Sequence, residues 1–386
     1  MIQSILVYTF IILVMLFLAI STRNKSIRYA NFSVTTSPKT KFWYPEVIFM
    51  ILFFSVMFGM RYKVGTDHLS YLHTYIYGGS ELFRFEPLFR IITTICSNFN
   101  THPIIYFSIW AFIQITFFLL AFKNELYLFP SLIFFLFFNG EYLFWMNGIR
   151  QALAMCIWLY SIRYIYTKKL WHYLFLGIIA FLFHKSAIIL VVFYPILKNG
   201  RDYFKSIPLQ LALFVLAIVI RNVFDTFILQ FESVVTQFQN LIFGYESYSM
   251  DKMLDELDND VGGSGLAFLF KSVVWIVIIL YSKRLKSFYC SNKFNVIYFL
   301  FFIGVLAEYA IPSGAIVFSR PFRYFFIFKT VILAYFLYYL FRDNKLKYNK
   351  LLAYTLIISF VGIFYLNQIT LPEDNSAWFK FYFQEM

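Results

Sequence analysis

The sequence contains few charged residues. They make up 14% of its 386 residues, against roughly 25% in an ordinary soluble domain, and 61% of the residues are hydrophobic. This composition excludes a water-soluble fold. A helix that crosses a bilayer needs about 20 mostly apolar residues, so the chain can hold about twelve spans and their loops. We therefore predict an all-α polytopic membrane protein with one transmembrane domain over residues 1–386.

Cysteine is also scarce. Cys96, Cys156 and Cys290 are odd in number and show no CxxC or Cys/His spacing, which excludes a disulfide framework and a zinc site. The acidic stretch 251–265 lacks the spacing of a calcium loop, and we interpret it as solvated. No metal and no cofactor is expected.

Acidic residues are fewer than basic ones, 20 against 33, and the formal net charge is +13. In a soluble protein this excess would suggest nucleic acid as a partner. Its placement points instead to membrane topology, because basic residues near span ends stay on the cytoplasmic side. Twelve apolar runs are present, at about 2–20, 45–60, 104–122, 126–138, 149–166, 170–183, 187–197, 207–220, 266–281, 294–311, 325–341 and 351–366.

Alternate loops between these runs differ sharply in charge. One set holds 19 basic residues and three acids, whereas the loop 221–265 of the other set holds eight acids. The first set is therefore predicted to be cytoplasmic, and the second set, with both termini, to face outward. Little of the charge is left to support nucleic acid as a partner.

Two outer loops are long, 61–103 and 221–265. Apolar residues at i, i+3, i+4 and i+7 predict an amphipathic helix over about 222–243 that lies on the outer leaflet. The runs 170–183 and 187–197 are separated only by His184, Lys185 and Ser186. We predict a hairpin there, with its turn below the outer surface in a protein-lined cavity.

Thirteen basic residues are not explained by cytoplasmic retention. Lys271 and Lys329 fall inside predicted spans, as does Glu308, and mutual pairing is preferred for them over substrate contact. Arg61, Arg150, Arg320 and Arg323 recur instead at predicted outer ends of spans. A shared phosphate-bearing ligand and separate snorkelling to lipid headgroups remain equal alternatives for these four arginines.

Four short motifs occur in order: Arg61-Tyr-Lys-Val-Gly-Thr-Asp67 followed by Tyr71, Phe85-Glu86-Pro87-Leu88-Phe89, Gly148-Ile-Arg150-Gln151-Ala152-Leu-Ala154, and Phe183-His184-Lys-Ser186-Ala187. Together they resemble the motifs of EpsG-like proteins, which are bacterial polysaccharide polymerases related to the O-antigen polymerase Wzy. Beyond residue 200 the resemblance rests on topology and on Ser319-Arg320-Pro-Phe-Arg323-Tyr324.

The resemblance implies a metal-independent hexosyltransferase of the multispan C-type architecture, active in O-antigen and lipopolysaccharide biosynthesis. It would work at the periplasmic face of the bacterial inner membrane and transfer a glycan from undecaprenyl pyrophosphate to another lipid-linked repeat unit. Membrane lipids and a chain-length regulator of the Wzz class are the further partners that it implies.

The predicted site combines these motifs with the unexplained charges. The expected pyrophosphate and glycan ligands are Arg61, Lys63, Arg150, Gln151, Arg320 and Arg323, with Glu86 and Arg90 as weaker candidates. Glu86 and Arg90 are four residues apart and would form an ordinary helical pair.

His184 and Asp67 are the candidate catalytic residues that take the proton of the acceptor hydroxyl. For His184, a buried role in capping the turn is equally open. For Asp67, pairing with Arg61 is the preferred alternative.

Two other functions compete with this one. A lipid-linked oligosaccharide flippase would also have about twelve spans and bind a pyrophosphate lipid, but it should carry two related halves, and none are evident here. A glycan O-acetyltransferase needs a cytoplasmic acyl donor, whereas His184 is predicted near the outer face.

Overall fold

The computed structural model describes residues 1–32, 42–224, 230, 265–312, 315–343, 346–370 and 377–384. Most of the predicted outer loop 221–265, and with it most of the amphipathic helix predicted at about 222–243, lies outside the described residues.

The described chain is almost wholly helical. Its α-helices are α1 (Ile2–Phe32), α2 (Pro45–Gly59), α3 (His68–Tyr77), α4 (Pro87–Asn98), α5 (Pro103–Ala121), α6 (Phe129–Phe138), α7 (Glu141–Asn147), α8 (Ile149–Tyr166), α9 (Leu170–Phe183), α10 (Phe193–Leu197), α11 (Ile207–Asn222), α12 (Leu266–Tyr289), α13 (Asn292–Ala310), α14 (Ile316–Arg342) and α15 (Asn349–Ile363). Short 3₁₀ helices cover Gly79–Arg84, Leu126–Leu128, Lys185–Val192 and Tyr382–Gln384, and a π-helix covers Phe364–Thr370. Two short strands, β1 (Arg61–Tyr62) and β2 (Lys380–Phe381), pair antiparallel.

Every one of the twelve predicted apolar runs falls on helix, which confirms the all-α polytopic fold class. Within the described residues, six helices are long and apolar enough to cross a membrane: Ile2–Arg28, Pro103–Ala121, Leu266–Tyr289, Asn292–Ala310, Phe318–Arg342 and Asn349–Leu366. A seventh candidate is the pair Leu126–Phe138 and Glu141–Asn147, which is bent by 61°. The count of twelve spans stays a prediction.

Local sequence explains where many helices begin. Proline occupies the first turn of α2, α4, α5, α6 and α11, where its missing N–H costs no hydrogen bond. Serines cap the starts of α11 and α13, since Ser206 Oγ accepts from the Leu209 N–H and Ser291 Oγ from the Phe294 N–H. The helix boundaries are thus encoded by residues next to them in the sequence.

The chain forms two compact units. Unit 1 comprises Met1–Ile162, Phe175–His184 and Leu333–Met386, and unit 2 comprises Arg163–Leu174 and Lys185–Ile332. The single transmembrane domain predicted over 1–386 stays a prediction.

In unit 1, α2 packs against α5 and α1, and α1 packs against α6. Gly59 permits the first contact, because a Cβ there would lie 2.1 Å from Ser108 Oγ and 2.3 Å from the Ile104 carbonyl oxygen. An aromatic core fills the interior, where Phe54 contacts the rings of Tyr142 and Trp145. This packing fixes the ends of α2 and α7, which carry part of the candidate site.

In unit 2, α11 packs against α12 and α13. Tyr298 donates to Gln210 Oε1 at 2.6 Å inside this contact, and Lys286 pairs with Asp202 at 2.7 Å. Gly304 of α13 lies against α14, since a Cβ at this position would be 2.7 Å from the Phe325 carbonyl oxygen. This close approach places Glu308, one turn further along α13, beside α14.

Candidate functional site

Arg150 is the centre of the candidate site in unit 1. It lies in the first turn of α8 and forms an ion pair with Glu86, the residue that precedes α4. The side chains are 19% and 7% exposed, so the pair is mostly shielded from water while Arg150 remains accessible. The pair therefore joins the second and third sequence motifs.

Aromatic rings surround the Arg150 guanidinium. Its Cζ lies 4.5 Å from the centroid of the Phe85 ring, 5.6 Å from that of Phe89 and 5.8 Å from that of Tyr71. Nη1 donates to Glu86 and Nε to the Tyr71 hydroxyl at 3.5 Å. Within the described residues, Nη2 is left without a protein hydrogen bond. A fixed, partly exposed guanidinium nitrogen of this kind can donate to a phosphate or sugar oxygen.

Arg61 is placed differently from the sequence expectation of an outward-facing ligand. Its side chain is completely buried, and it donates to the Phe58 carbonyl at 2.7 Å and to the Met146 carbonyl at 2.9 Å. Both carbonyls lie at helix C-termini, those of α2 and α7, where a cation is favoured. Burial lowers the pKa of Arg61 to about 9, so it stays charged at neutral pH. Its observed contacts hold two helix ends together, and ligand contact by Arg61 stays a prediction.

The rest of the first motif is fastened to the end of α7 through Asn147. Asn147 Oδ1 accepts from the Thr66 hydroxyl at 3.0 Å and from the Asp67 N–H at 2.9 Å. Gly65, at φ +88°, permits this approach, because a Cβ there would lie 3.0 Å from Asn147 Cα. The first three motifs thus meet around the α7–α8 junction. Sequence reasoning missed Asn147, whose signal was its position directly before the Gly148 motif.

His68 is a second residue that sequence reasoning missed. It is fully buried, its ring stacks on Phe107 at 4.6 Å, and its Nδ1 accepts from the Lys63 N–H at 3.3 Å. Burial, assisted by the nearby Arg61 charge, lowers the pKa of His68 to about 2. His68 is therefore neutral and acts as a structural acceptor, whereas Lys63 and Asp67 are exposed on the same loop.

The expected helical pair of Glu86 with Arg90 does not form, because Glu86 precedes α4 and turns to Arg150. The Arg90 guanidinium lies instead 5.6 Å from the Phe83 ring centroid. Gln151, next to Arg150, is buried.

His184 directly follows α9. It is also buried, and its N–H donates to the Ala180 carbonyl at 2.9 Å. The catalytic role and the turn-capping role of His184 both stay predictions.

Unit 2 contains a second charged cluster. Lys329 of α14 pairs with Glu308 of α13 at 2.8 Å, which confirms the predicted pairing of these two intramembrane residues. Lys329 Nζ lies 3.9 Å and Arg323 Cζ 5.2 Å from the centroid of the same ring, Phe326. Lys271 is close enough to interact electrostatically with both members of the pair. Three cations thus surround one carboxylate.

Arg320 and Arg323 are partly buried near the start of α14. Tyr324, which follows Arg323 directly, accepts a hydrogen bond from Ser186 of the fourth motif at 3.3 Å within unit 2. The predicted sharing of one ligand by Arg150, Arg320 and Arg323 involves both units and stays a prediction.

A search of curated proteins and a search of solved structures found no match to the chain. A family model, described as the EpsG family, matches residues 46–383, which include all the motifs of both units. The chain therefore belongs to the EpsG family, as its motifs predict, and this membership suggests a polysaccharide polymerase-like function.

Proposed function

We propose that this protein is an O-antigen-type polysaccharide polymerase of the bacterial inner membrane. It transfers a glycan from undecaprenyl pyrophosphate to another lipid-linked repeat unit at the periplasmic face. The observation that carries the proposal is the meeting of three family-like motifs at the partly exposed guanidinium of Arg150.

The geometry around Arg150 suits a charged leaving group. When the acceptor oxygen attacks the anomeric carbon, the bond from that carbon to the pyrophosphate oxygen breaks and its electrons stay on pyrophosphate. Glu86 and the ring of Phe85 hold the guanidinium in one orientation, which leaves Nη2 to donate to the ligand. A donor fixed before the reaction stabilises the developing charge without the cost of reorientation.

The other residues of the predicted site have different roles in this proposal. Lys63 binds the pyrophosphate beside Arg150, and Gln151 and Glu86 contact hydroxyl groups of the glycan. Arg320 and Arg323 are also proposed as ligands of a pyrophosphate group. Buried Arg61 contributes by holding the ends of α2 and α7, and hence the loop that carries Lys63 and Asp67.

The acceptor hydroxyl must lose its proton. His184 and Asp67 are the two proposed proton acceptors, because His68, the neighbouring histidine, is buried and has a pKa of about 2. Asp67 is exposed at the start of α3, and His184 is buried just after α9. The proton would pass directly from the hydroxyl to the imidazole or to the carboxylate, with no metal ion required.

A lipid-linked oligosaccharide flippase is the alternative function, because it would bind the same class of lipid. Gene deletion separates the two. Loss of a polymerase leaves single repeat units on the cell surface, whereas loss of a flippase leaves none. We expect single repeats on a polysaccharide gel and full chains after complementation with the intact gene. A deletion strain without surface repeats would contradict the proposal.

A further inference from the structure

The outer surface of α4 carries a groove that the Arg150 site does not use. Phe83, Pro87, Ile91 and Ile95 recur at every fourth position along the groove. With Leu82, Arg90 and Thr94 they line an open volume of about 350 Å³. Phe83 is 75% exposed, and Ile91 and Ile95 are each about half exposed. The stripe is thus an accessible apolar surface within the predicted outer loop 61–103.

The opposite face of α4 explains why this stripe points away from the protein core. Phe89 stacks on Trp110 at 4.9 Å, and the Thr93 hydroxyl lies 2.9 Å from that of Tyr106. These residues pin one side of the helix to α5, so the stripe cannot turn inward. Replacing an exposed residue of the stripe should therefore leave the fold intact.

The groove combines a hydrocarbon surface with one positive charge. Among the described residues that line it, Arg90 alone is charged, and its guanidinium lies over Phe83. The groove also continues from the Arg150 site, because Glu86, the partner of Arg150, precedes α4 and Arg90 follows about 6 Å further along the helix. A ligand with an anionic end and a long apolar chain matches this order.

We propose that this groove seats the isoprenyl chain of the polyprenyl-pyrophosphate substrate, with Arg90 against a phosphate of the lipid. This inference rests on the proposed function and adds to it the place where the lipid chain binds. Arg90 contacts the lipid phosphate, and Phe83, Ile91 and Ile95 hold the first isoprene units.

Photocrosslinking tests the site directly. The intact protein would be placed in phosphatidylcholine nanodiscs and labelled with polyprenyl monophosphate that carries a diazirine on its isoprenyl chain. We expect adducts concentrated on residues 82–95 and displaced by unlabelled polyprenyl phosphate, but not by the same concentration of phosphatidylglycerol. Equal displacement by phosphatidylglycerol would mean a site for bulk anionic lipid and would overturn the inference.

The exposed apolar face of α9, at Phe175 and Ile178, provides an internal reference. Labelling there at the same density as on α4 would mean unselective contact with lipid and would likewise overturn the inference. The same conclusion follows if α4 carries no adducts.

Two variants probe the two parts of the groove. Ile91→Glu places a carboxylate on the apolar wall, and Arg90→Gln removes the positive charge. Each should raise the concentration of polyprenyl phosphate needed to displace the label about tenfold. Ser97→Glu is the matched control, because Ser97 is exposed on the same helix outside the groove. Unchanged displacement in both groove variants would overturn the inference.

Failure of this site can be told apart from failure of the proposed function. If the wild-type protein polymerises lipid-linked repeats and Ile91→Glu matches it in both polymerisation and labelling, only the groove assignment fails. If the groove is labelled as expected but the wild-type protein does not polymerise, the proposed function fails and the lipid site stands.

Discussion

Glu86 and Arg150 lie 64 positions apart in the sequence and form an ion pair beside three aromatic rings. The pair connects the start of α4 with the start of α8, and it leaves one guanidinium nitrogen available to a ligand. Since removal of either partner would leave the other charge shielded and uncompensated, the two residues act as a unit.

The first prediction concerns the planar guanidinium group of Arg150. Arg150→Lys keeps the positive charge but removes the planar pair of donors, so polymerisation should fall about tenfold or more in correctly inserted protein. Arg163→Lys, on the same helix, is the control and should retain activity. Wild-type turnover by Arg150→Lys, measured with purified lipid-linked repeats, would remove Arg150 from ligand binding.

The second prediction compares His184 with Asp67. If His184 takes the proton, His184→Gln should lower the single-turnover rate while lipid-linked substrate still binds. If His184 only caps the turn after α9, the same change should lower the yield of folded protein and leave specific activity nearly intact. Asp67→Asn is the parallel variant, and it should weaken donor binding as well as rate by disturbing the loop of Lys63.

The third prediction concerns the Lys329–Glu308 ion pair in unit 2. Lys329→Met leaves the Glu308 carboxylate without its ion-pair partner, which should destabilise the protein by about 3 kcal/mol. The double variant Lys329→Met/Glu308→Gln removes both members of the pair and should recover part of that loss, since Lys271 and Arg323 also lose the nearby carboxylate. Thermal unfolding in detergent measures the order of stability, and a double variant no more stable than the single one would contradict the pairing account.

The fourth prediction is a pH dependence that arises from His68. Its folded pKa of about 2 lies below the unfolded value of about 6.5. Between these two pH values the unfolded chain therefore binds a proton on His68 that the folded chain does not bind. The contribution of neutral His68 to the free energy of unfolding is complete above about pH 6.5 and decreases as the pH falls below that value.

Unfolding measured from pH 7 to pH 4 should reveal this contribution. His68→Asn should reduce the pH slope of the unfolding free energy by about 1.4 kcal/mol per pH unit below pH 6. His73→Asn, at an exposed position of the same helix, serves as the control. An unchanged slope in His68→Asn would mean that His68 is protonated in the folded protein.

The sequence predicts helices well and the partners of charged side chains less well. All twelve apolar runs are helical because long apolar segments and proline-led first turns encode helices locally. Glu86 was expected to pair with Arg90 from their i,i+4 spacing, but Glu86 lies just outside α4, where that spacing no longer applies. Its partner, Arg150, is 64 positions away in the sequence, so the local spacing does not indicate the pair.

Arg61 illustrates the same limit. Its position after a predicted span suggested an outward-facing ligand, whereas the structure buries it between the ends of α2 and α7. The carbonyl of Met146 that it binds is 85 positions away, so no local pattern could reveal the contact. The motifs predict the region of the candidate site, and tertiary packing sets the partners of its side chains.

Polymerisation by the purified protein tests the central claim most directly. The wild-type chain in nanodiscs would receive undecaprenyl-pyrophosphate-linked repeat units alone, and the lipid-linked products would be separated by length. We predict products of two or more repeats with release of undecaprenyl pyrophosphate, and far fewer from Arg150→Lys. Single repeats that remain unchanged in the presence of folded wild-type protein, or that only move across the bilayer, would contradict the account.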